Sequence, residues 1–171
     1  MRILVTIFSL MFVSASSLAK GEVEINWQNP EKYSDVRPTN ASRVKYRERV
    51  FNQLDEYFTE LAADLPDGQI LKVNVSNLDL AGQVWPASFV GFGHSGSDIR
   101  LIKSIDIPRM RFSYQLLDQA GMVQKEAEVN LKDMSFQDRH NSFFDSESLR
   151  YEKNMLKQWF YKEFPDYLVK N

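Results

Sequence analysis

Residues 106–134 constrain the fold more than any other stretch, because they read as two strands joined by a tight turn. Polar and apolar residues alternate on both sides of the turn, which is typical of strands that bury one face. A four-residue turn, Asp-Gln-Ala-Gly, predicts a register with Met110 opposite Val129 and Arg111 opposite Glu128. A hairpin with one apolar face needs other elements to cover it. The apolar positions are Met110, Phe112, Tyr114, Leu116, Val123, Ala127, Val129 and Leu131.

The rest of the chain supplies two helices and the remaining strands. Apolar residues three and four apart predict a helix from about Asn40 to Leu65, with Thr39 and Ser42 as alternative N-caps. A strand on each side of this helix favours a crossover connection that leaves the two strands parallel. We therefore predict an α+β fold: a mixed, mostly antiparallel sheet of four to five strands with two helices packed on one face, in the order β-α-β-(β)-β-β-α. The other predicted elements are strands at 22–27, 70–77 with a bulge near Asn77, and 99–105, and a second helix from Ser146 to about Phe164.

The first 19 residues have the pattern of a secretory signal peptide. The basic Arg2 precedes an apolar run from Ile3 to Val13, and Ser17 and Ala19 are the small residues that a signal peptidase reads. We predict cleavage after Ala19, a periplasmic location, and a single domain over residues 20–171 with no transmembrane segment. An uncleaved membrane anchor is the alternative.

The composition and motifs argue against several classes of function. The chain has no cysteine, which removes disulfides, thiol catalysis and thiolate metal sites. Its formal net charge of −2 gives no positive excess that would indicate a nucleic-acid partner. Residues 91–96 spell G-x-G-x-x-G, but a strand follows where a dinucleotide site requires a helix. His94 and His140 lack partners at metal-ligand spacing, so no cofactor and no metal site is predicted.

A cluster of basic residues at the start of the first helix is a candidate ligand site. Positive charge at a helix N-terminus opposes the helix dipole, and such a local conflict can mark a functional site. Arg37, Arg43 and Arg47 are the predicted anion-binding residues, because their guanidinium groups suit phosphate or carboxylate. The alternative is ion pairing with Asp35, with Glu48 or with the acidic start of the last helix.

Two further groups of side chains form a predicted interaction surface. Large aromatic residues lie in a glycine-rich stretch, residues 82–97, that we interpret as a loop. Such loops either pack onto a core or grip a partner. Two arginines on the outer face of the hairpin either bind a partner or stay solvated. The residues are Trp85, Phe89 and Phe92 in the loop, and Arg109 and Arg111 on the hairpin.

Several segments, spread over nearly all of residues 20–171, carry a resemblance to a known family. The chain resembles a gammaproteobacterial family of short exported proteins that is known only as a domain of unknown function. The resemblance implies a bacterial periplasmic location and implies no particular activity. The segments are Trp27, Asp35-Val36-Arg37-Pro38, Ser42-Arg43, Asp79-Leu80-Ala81-Gly82, the stretch from Arg111 to Asp118, the stretch from Asn130 to Met134, and Arg150-Tyr151-Glu152-Lys153.

Three hypotheses about function follow from the sequence. The first is a non-enzymatic binding or envelope-accessory module for a periplasmic protein partner or an anionic envelope ligand. The second is a hydrolase or metal-dependent enzyme with a site built from scattered Asp, His and Arg residues. The third is a structural component that assembles with itself. The lack of a recognisable catalytic motif favours the first hypothesis.

Overall fold

The computed structural model describes residues 20–39, 42–91 and 98–168. In these ranges the chain forms two α-helices, a mixed four-stranded sheet and a separate two-stranded sheet, so the predicted α+β class is confirmed. The strands are β1 Glu22–Trp27, β2 Ile70–Asp79, β3 Gln83–Trp85, β4 Ile99–Leu101, β5 Arg109–Leu117 and β6 Val123–Lys132. The helices are α1 Arg43–Ala62 and α2 Arg150–Glu163, and short 3₁₀ turns span Pro30–Lys32 and Ala87–Val90.

The main sheet has the order β1-β2-β5-β6, with β1 parallel to β2 and the other neighbours antiparallel. The parallel pair flanks α1, as the crossover argument predicts. The predicted bulge is also confirmed, because the register between β2 and β5 shifts between Val75 and Asn77. After the bulge Leu78 and Leu80 are buried, so this irregularity keeps the apolar residues of β2 on the core side.

The predicted register of the hairpin is wrong by two residues. Met110 lies opposite Leu131, and Arg111 lies opposite Asn130 rather than Glu128. The turn is one residue longer than predicted, because the Asp118 carboxylate accepts hydrogen bonds from the N–H groups of Ala120 and Met122, each at 2.9 Å. A bulge in β6 takes up a further residue. A shift of two preserves the side-chain faces, so the predicted apolar face is correct for Ala127, Val129 and Leu131 although the partners are not. Val123 is the exception, because the bulge places it opposite Leu117 rather than Leu116, and its side chain is exposed.

The region predicted as a loop, residues 82–97, contains a strand. β3 pairs antiparallel with β4, and Trp85 lies opposite Ile99. The predicted strand 99–105 is only three residues long, and it joins β3 rather than the main sheet. The strand that the prediction treated as an optional fifth member of the main sheet therefore belongs to a second, small sheet. Residues 92–97 lie outside the described residues.

The first helix begins after Ser42, one of its predicted alternative N-caps, and the second helix begins later than predicted. α1 starts at Arg43 with Ser42 as its N-cap residue, and Asn40 lies outside the described residues. α2 starts at Arg150 rather than after Ser146, because Leu149 adopts a left-handed conformation with φ 56° that a helix cannot contain. The position before α2 is thus held by a strained residue rather than by a serine cap.

The two helices pack on one face of the main sheet and bury an aromatic core. Trp159 of α2 lies edge-on to Phe112 and Tyr114 of β5, with ring centroids 4.8 and 5.6 Å apart. Phe58 of α1 and Phe160 of α2 are fully buried in the same cluster. The opposite face, called the outer face below, carries polar side chains such as those of β2 and β5 at Lys72, Asn74, Ser113 and Gln115. Within the described residues, no helix is both long and apolar enough to cross a membrane.

Candidate functional site

A row of four charged side chains crosses the outer face at the end of β2. Asp35 pairs with Asp79 in a parallel bridge, and the Leu80 N–H donates to the Asp35 carbonyl at 3.1 Å. Arg109 lies opposite Asp79, and Lys132 lies opposite Arg109. Residues directly opposite one another in a sheet project to the same side, so backbone pairing alone gathers these charges. The Arg109 guanidinium donates to Asp79 Oδ2 at 2.9 Å.

Arg100, from β4, connects the segments at this end of the sheet through its hydrogen bonds. Its guanidinium donates to Asp35 Oδ2 at 3.0 Å and to the carbonyl oxygens of Gly82 and Arg37, also at 3.0 Å. A longer bond of 3.3 Å reaches the Ala81 carbonyl. The Arg100 and Asp35 side chains are only 17% and 15% exposed. Because the planar guanidinium satisfies several acceptors at once, it fixes the segments that carry Asp35 and Gly82.

Gly82 is the residue that lets this segment turn under β4. Its φ of 77° lies in the left-handed region, and its N–H donates to the Asp106 carbonyl at 2.8 Å. A Cβ at this position would lie 2.3 Å from the Leu101 carbonyl oxygen, which leaves no room for a side chain. Glycine is therefore required for the close approach that brings Arg100 to the sheet.

Glu152 attaches α2 to the same segment from the core side. The carboxylate is 3% exposed, and its Oε1 accepts the Ala81 N–H at 2.7 Å. Burial raises the pKa of Glu152, and this effect exceeds the lowering by the Ala81 hydrogen bond and by the charge of Arg100. A buried carboxyl with a raised pKa thus holds the helix to the segment that follows β2.

Glu152→Gln is expected to remove part of the pH dependence of stability. Since the folded state raises the Glu152 pKa, this carboxyl contributes stability that is fully present below the unfolded pKa and is lost as the pH rises through the folded pKa. The amide keeps an oxygen for the Ala81 N–H and carries no charge. Urea unfolding from about pH 4 to about pH 8 should show the variant matching or exceeding the wild type at neutral pH. A variant that is clearly weaker at neutral pH contradicts this sign.

A cleft of about 500 Å³, here called the outer cleft, opens beside the charged row. Burial raises the pKa of Asp79, the hydrogen bond and charge of Arg109 lower it, and Asp35 raises it again, with a net rise. The outer cleft is lined both by carboxylates, which accept hydrogen bonds, and by guanidinium groups, which donate them. Such a lining suits a ligand that carries both an acidic group and hydrogen-bond donors. Its charged residues are Asp35, Arg37, Asp79, Asp106 and Arg109, and the walls are completed by Ser34, Leu80, residues 82–84, Ile105 and Ile107.

The predicted anion site is divided by the structure. Arg37 lines the outer cleft, whereas Arg43 and Arg47 lie on the first turns of α1 and are not among the residues that line it. Arg43 is exposed and Arg47 is half-buried. Their role as an anion site stays a prediction, and only Arg37 shares a cavity with the charged row.

The predicted interaction surface is also divided. Arg109 lines the outer cleft, and Arg111 lies further along the outer face, opposite Asn130. Trp85 belongs to β3, where the Lys103 ammonium lies 4.3 Å from its ring centroid. Phe89 is 77% exposed, and Phe92 lies outside the described residues.

Three residues of this region were not identified from the sequence as site residues: Asp35, Arg100 and Glu152. Asp35 and Glu152 lie in two of the segments that carry the family resemblance, and their presence in those segments was the available signal. Arg100 had no such signal, because its partners are distant in sequence. Within the described ranges, no group of three His, Asp or Glu residues is placed to hold a metal ion, and His94 lies outside those ranges.

The fold and the outer cleft together define a small α+β protein with helices on one face of its sheet and a charged cleft on the other. The model of the family described as "Protein of unknown function (DUF3016)" matches residues 21–162. The chain therefore belongs to this family. Comparisons with curated proteins and with solved structures gave no significant match.

Proposed function

We propose that the protein is a non-enzymatic binding module of the bacterial periplasm that holds an envelope ligand in the outer cleft. The observation that carries the proposal is the preorganised charged row, in which Asp35, Asp79 and Arg109 line one cavity of about 500 Å³. Rigid polar groups that are in place before a ligand arrives reduce the entropic cost of binding.

The ligand class follows from the charges of the cleft. Arg37 and Arg109 offer guanidinium donors for an acidic group, whereas Asp35, Asp79 and Asp106 offer acceptors for amino or hydroxyl groups. A simple anion would meet three carboxylates, so the cleft suits a ligand with both kinds of group. Peptide-bearing fragments of the cell wall have this chemistry, and a terminal segment of a protein partner has it as well.

The proposed location rests on the N-terminal pattern. The apolar run from Ile3 to Val13 and the Ser17-Leu18-Ala19 sequence support export, and the family match begins at residue 21. Fractionation of expressing bacteria with mass spectrometry tests the location. A periplasmic species that begins at Lys20 is expected, and an intact N-terminus in the membrane fraction would favour the anchor alternative.

The double substitution Arg37→Ala with Arg109→Ala is expected to abolish binding of cell-wall peptide fragments. The probes are purified fragments and inorganic phosphate, screened by thermal shift and measured by calorimetry. A ligand at a hundred times its Kd stabilises by about 2.7 kcal/mol, which shifts the Tm of a domain of this size by several degrees. Both guanidinium groups line the cleft, so their removal should eliminate that shift.

Two control variants separate this site from the alternatives. Arg111→Ala removes a guanidinium from the same strand and face but outside the cleft, and binding should be retained. Arg43→Ala with Arg47→Ala tests the predicted anion site on α1. If this second double variant alone loses binding, the outer cleft is not the site. If a bound fragment is cleaved, the hydrolase hypothesis replaces the binding module.

A further inference from the structure

β6 forms the last strand of the main sheet, and one of its sides has no strand beside it among the described residues. Nine of its ten residues pair with β5, and the backbone hydrogen bonds described outside the regular elements include none to its other side. Unpaired N–H and C=O groups along an edge are a template for another strand. The edge therefore either carries protection against pairing or accepts a partner.

Two devices that prevent edge pairing occur in the first part of β6. The register shift places Gln124 in a bulge, and Lys125 follows it on the core-facing side. The Lys125 ammonium lies 2.8 Å from the Glu163 carboxylate at the end of α2. A bulge and an inward-pointing lysine are both devices that prevent edge pairing.

From residue 126 to residue 132 the edge lacks these devices. The core-facing side chains there are Ala127, Val129 and Leu131, which are uncharged and only partly buried or exposed. The outer-face side chains are Glu126, Glu128, Asn130 and Lys132, so this face is acidic at one end and basic at the other. These seven residues span about 23 Å, which is long enough for a regular strand pair.

We infer that β6 pairs antiparallel with β6 of a second copy of this chain, about a two-fold axis at Val129. In this register Glu126 of each copy lies opposite Lys132 of the other. Ala127 lies opposite Leu131 and Val129 lies opposite its own copy, so the apolar faces of both sheets continue across the axis. The two four-stranded sheets become one sheet of eight strands.

Charge and the length of the paired stretch favour this register over its neighbours. An axis at Glu128 sets two glutamates against each other, which destabilises a strand pair. An axis at Asn130 forms two Glu128–Lys132 pairs but pairs only residues 128–132, because β6 ends at Lys132. With the axis at Val129, two Glu126–Lys132 pairs form, and no like charges meet on the outer face.

An acidic residue from outside the sheet would stabilise the charge of Lys132. Lys132 lies directly opposite Arg109, and like charges in that position repel. Among the described residues Lys132 forms no ion pair. Glu126 of a second copy supplies the opposite charge. This interface lies on the strand edge and does not depend on a ligand in the outer cleft.

Sedimentation equilibrium of the purified protein over a wide concentration range tests the interface. The wild type is expected to show a reversible monomer–dimer equilibrium. Glu126→Lys should weaken the dimer about tenfold or more, because it replaces two attractive pairs by two repulsive ones. Combining Glu126→Lys with Lys132→Glu restores both pairs with the charges exchanged, and it should restore dimerisation.

Glu128→Lys is the matched control, because the same charge change falls opposite Asn130 and should have a smaller effect than Glu126→Lys. Circular dichroism and thermal unfolding confirm that each variant is folded. A wild type that stays monomeric at its highest soluble concentration overturns the inference. A dimer that is insensitive to Glu126→Lys, or a charge exchange that fails to restore it, also overturns this interface.

Discussion

Replacing Arg100 by alanine is expected to lower the free energy of unfolding by about 3–5 kcal/mol, because removing one partner of a buried ion pair leaves the other charge unpaired. The Asp35 carboxylate is 15% exposed, and its ion-pair partner among the described residues is Arg100. The carbonyl oxygens of Gly82 and Arg37 lose their donor at the same time. Urea denaturation with linear extrapolation measures the loss.

The matched control for Arg100 is an exposed ion pair in the main sheet. Lys72 and Glu24 lie 3.0 Å apart, with side chains 41% and 59% exposed. Lys72→Ala should therefore cost about 0–1 kcal/mol. Arg100→Lys should remain clearly destabilising, since an ammonium cannot reach several acceptors in the geometry of a guanidinium. If Arg100→Ala lowers the free energy of unfolding as little as Lys72→Ala does, the hydrogen bonds of Arg100 do not stabilise this end of the sheet.

Trp159→Ala is expected to cost about 3–5 kcal/mol, because it removes the largest side chain of the aromatic core and leaves a cavity. The Trp159 ring is 8% exposed and lies edge-on to Phe112, Tyr114 and Phe164, with ring centroids between 4.8 and 5.6 Å away. Each edge-to-face contact adds to the area that the ring buries. The measurement is chemical denaturation of the purified variant.

Trp159→Phe separates packing from hydrogen bonding at this position. The buried Nε1 of Trp159 has no hydrogen-bond partner among the described residues, so phenylalanine loses no bond and keeps part of the ring. Its cost should be well below that of Trp159→Ala. If the two variants lose equal stability, the indole N–H has a role that the packing argument does not include.

The hairpin shows how far the sequence could predict the fold. Alternation assigned the faces of β5 and of β6 from Lys125 onwards correctly, because each side chain's face depends on its neighbours along a regular strand. The register depended on how Asp118 bonds to Ala120 and Met122 across the turn, and alternation carries no information about that geometry. The face to which a side chain points can thus be predicted from the local pattern, whereas its cross-strand partner also depends on the geometry of the turn.

The candidate site was harder to predict than the fold, because long-range pairing creates it. Arg100 and Asp35 are 65 residues apart, and Glu152 and Ala81 are 71 apart. None of these residues forms a recognised catalytic or metal-binding motif with its sequence neighbours. Arg37 and Arg109 were both predicted as site residues, but for different sites, and the fold places them in one cleft. A short strand, β4, whose sheet was not predicted, supplies the central arginine.

The parallel pairing of β1 with β2 affects the order in which the chain folds during synthesis. Glu22 pairs with Ile70, and Ile70 in turn pairs with Leu117, so β1 leaves the ribosome long before its neighbour and that neighbour's own partner are available. The β5–β6 hairpin closes over a short loop and forms early by comparison. The first strand made therefore waits for its partner, and Val23, Ile25 and Trp27 have no neighbouring strand until residues 70–75 have emerged.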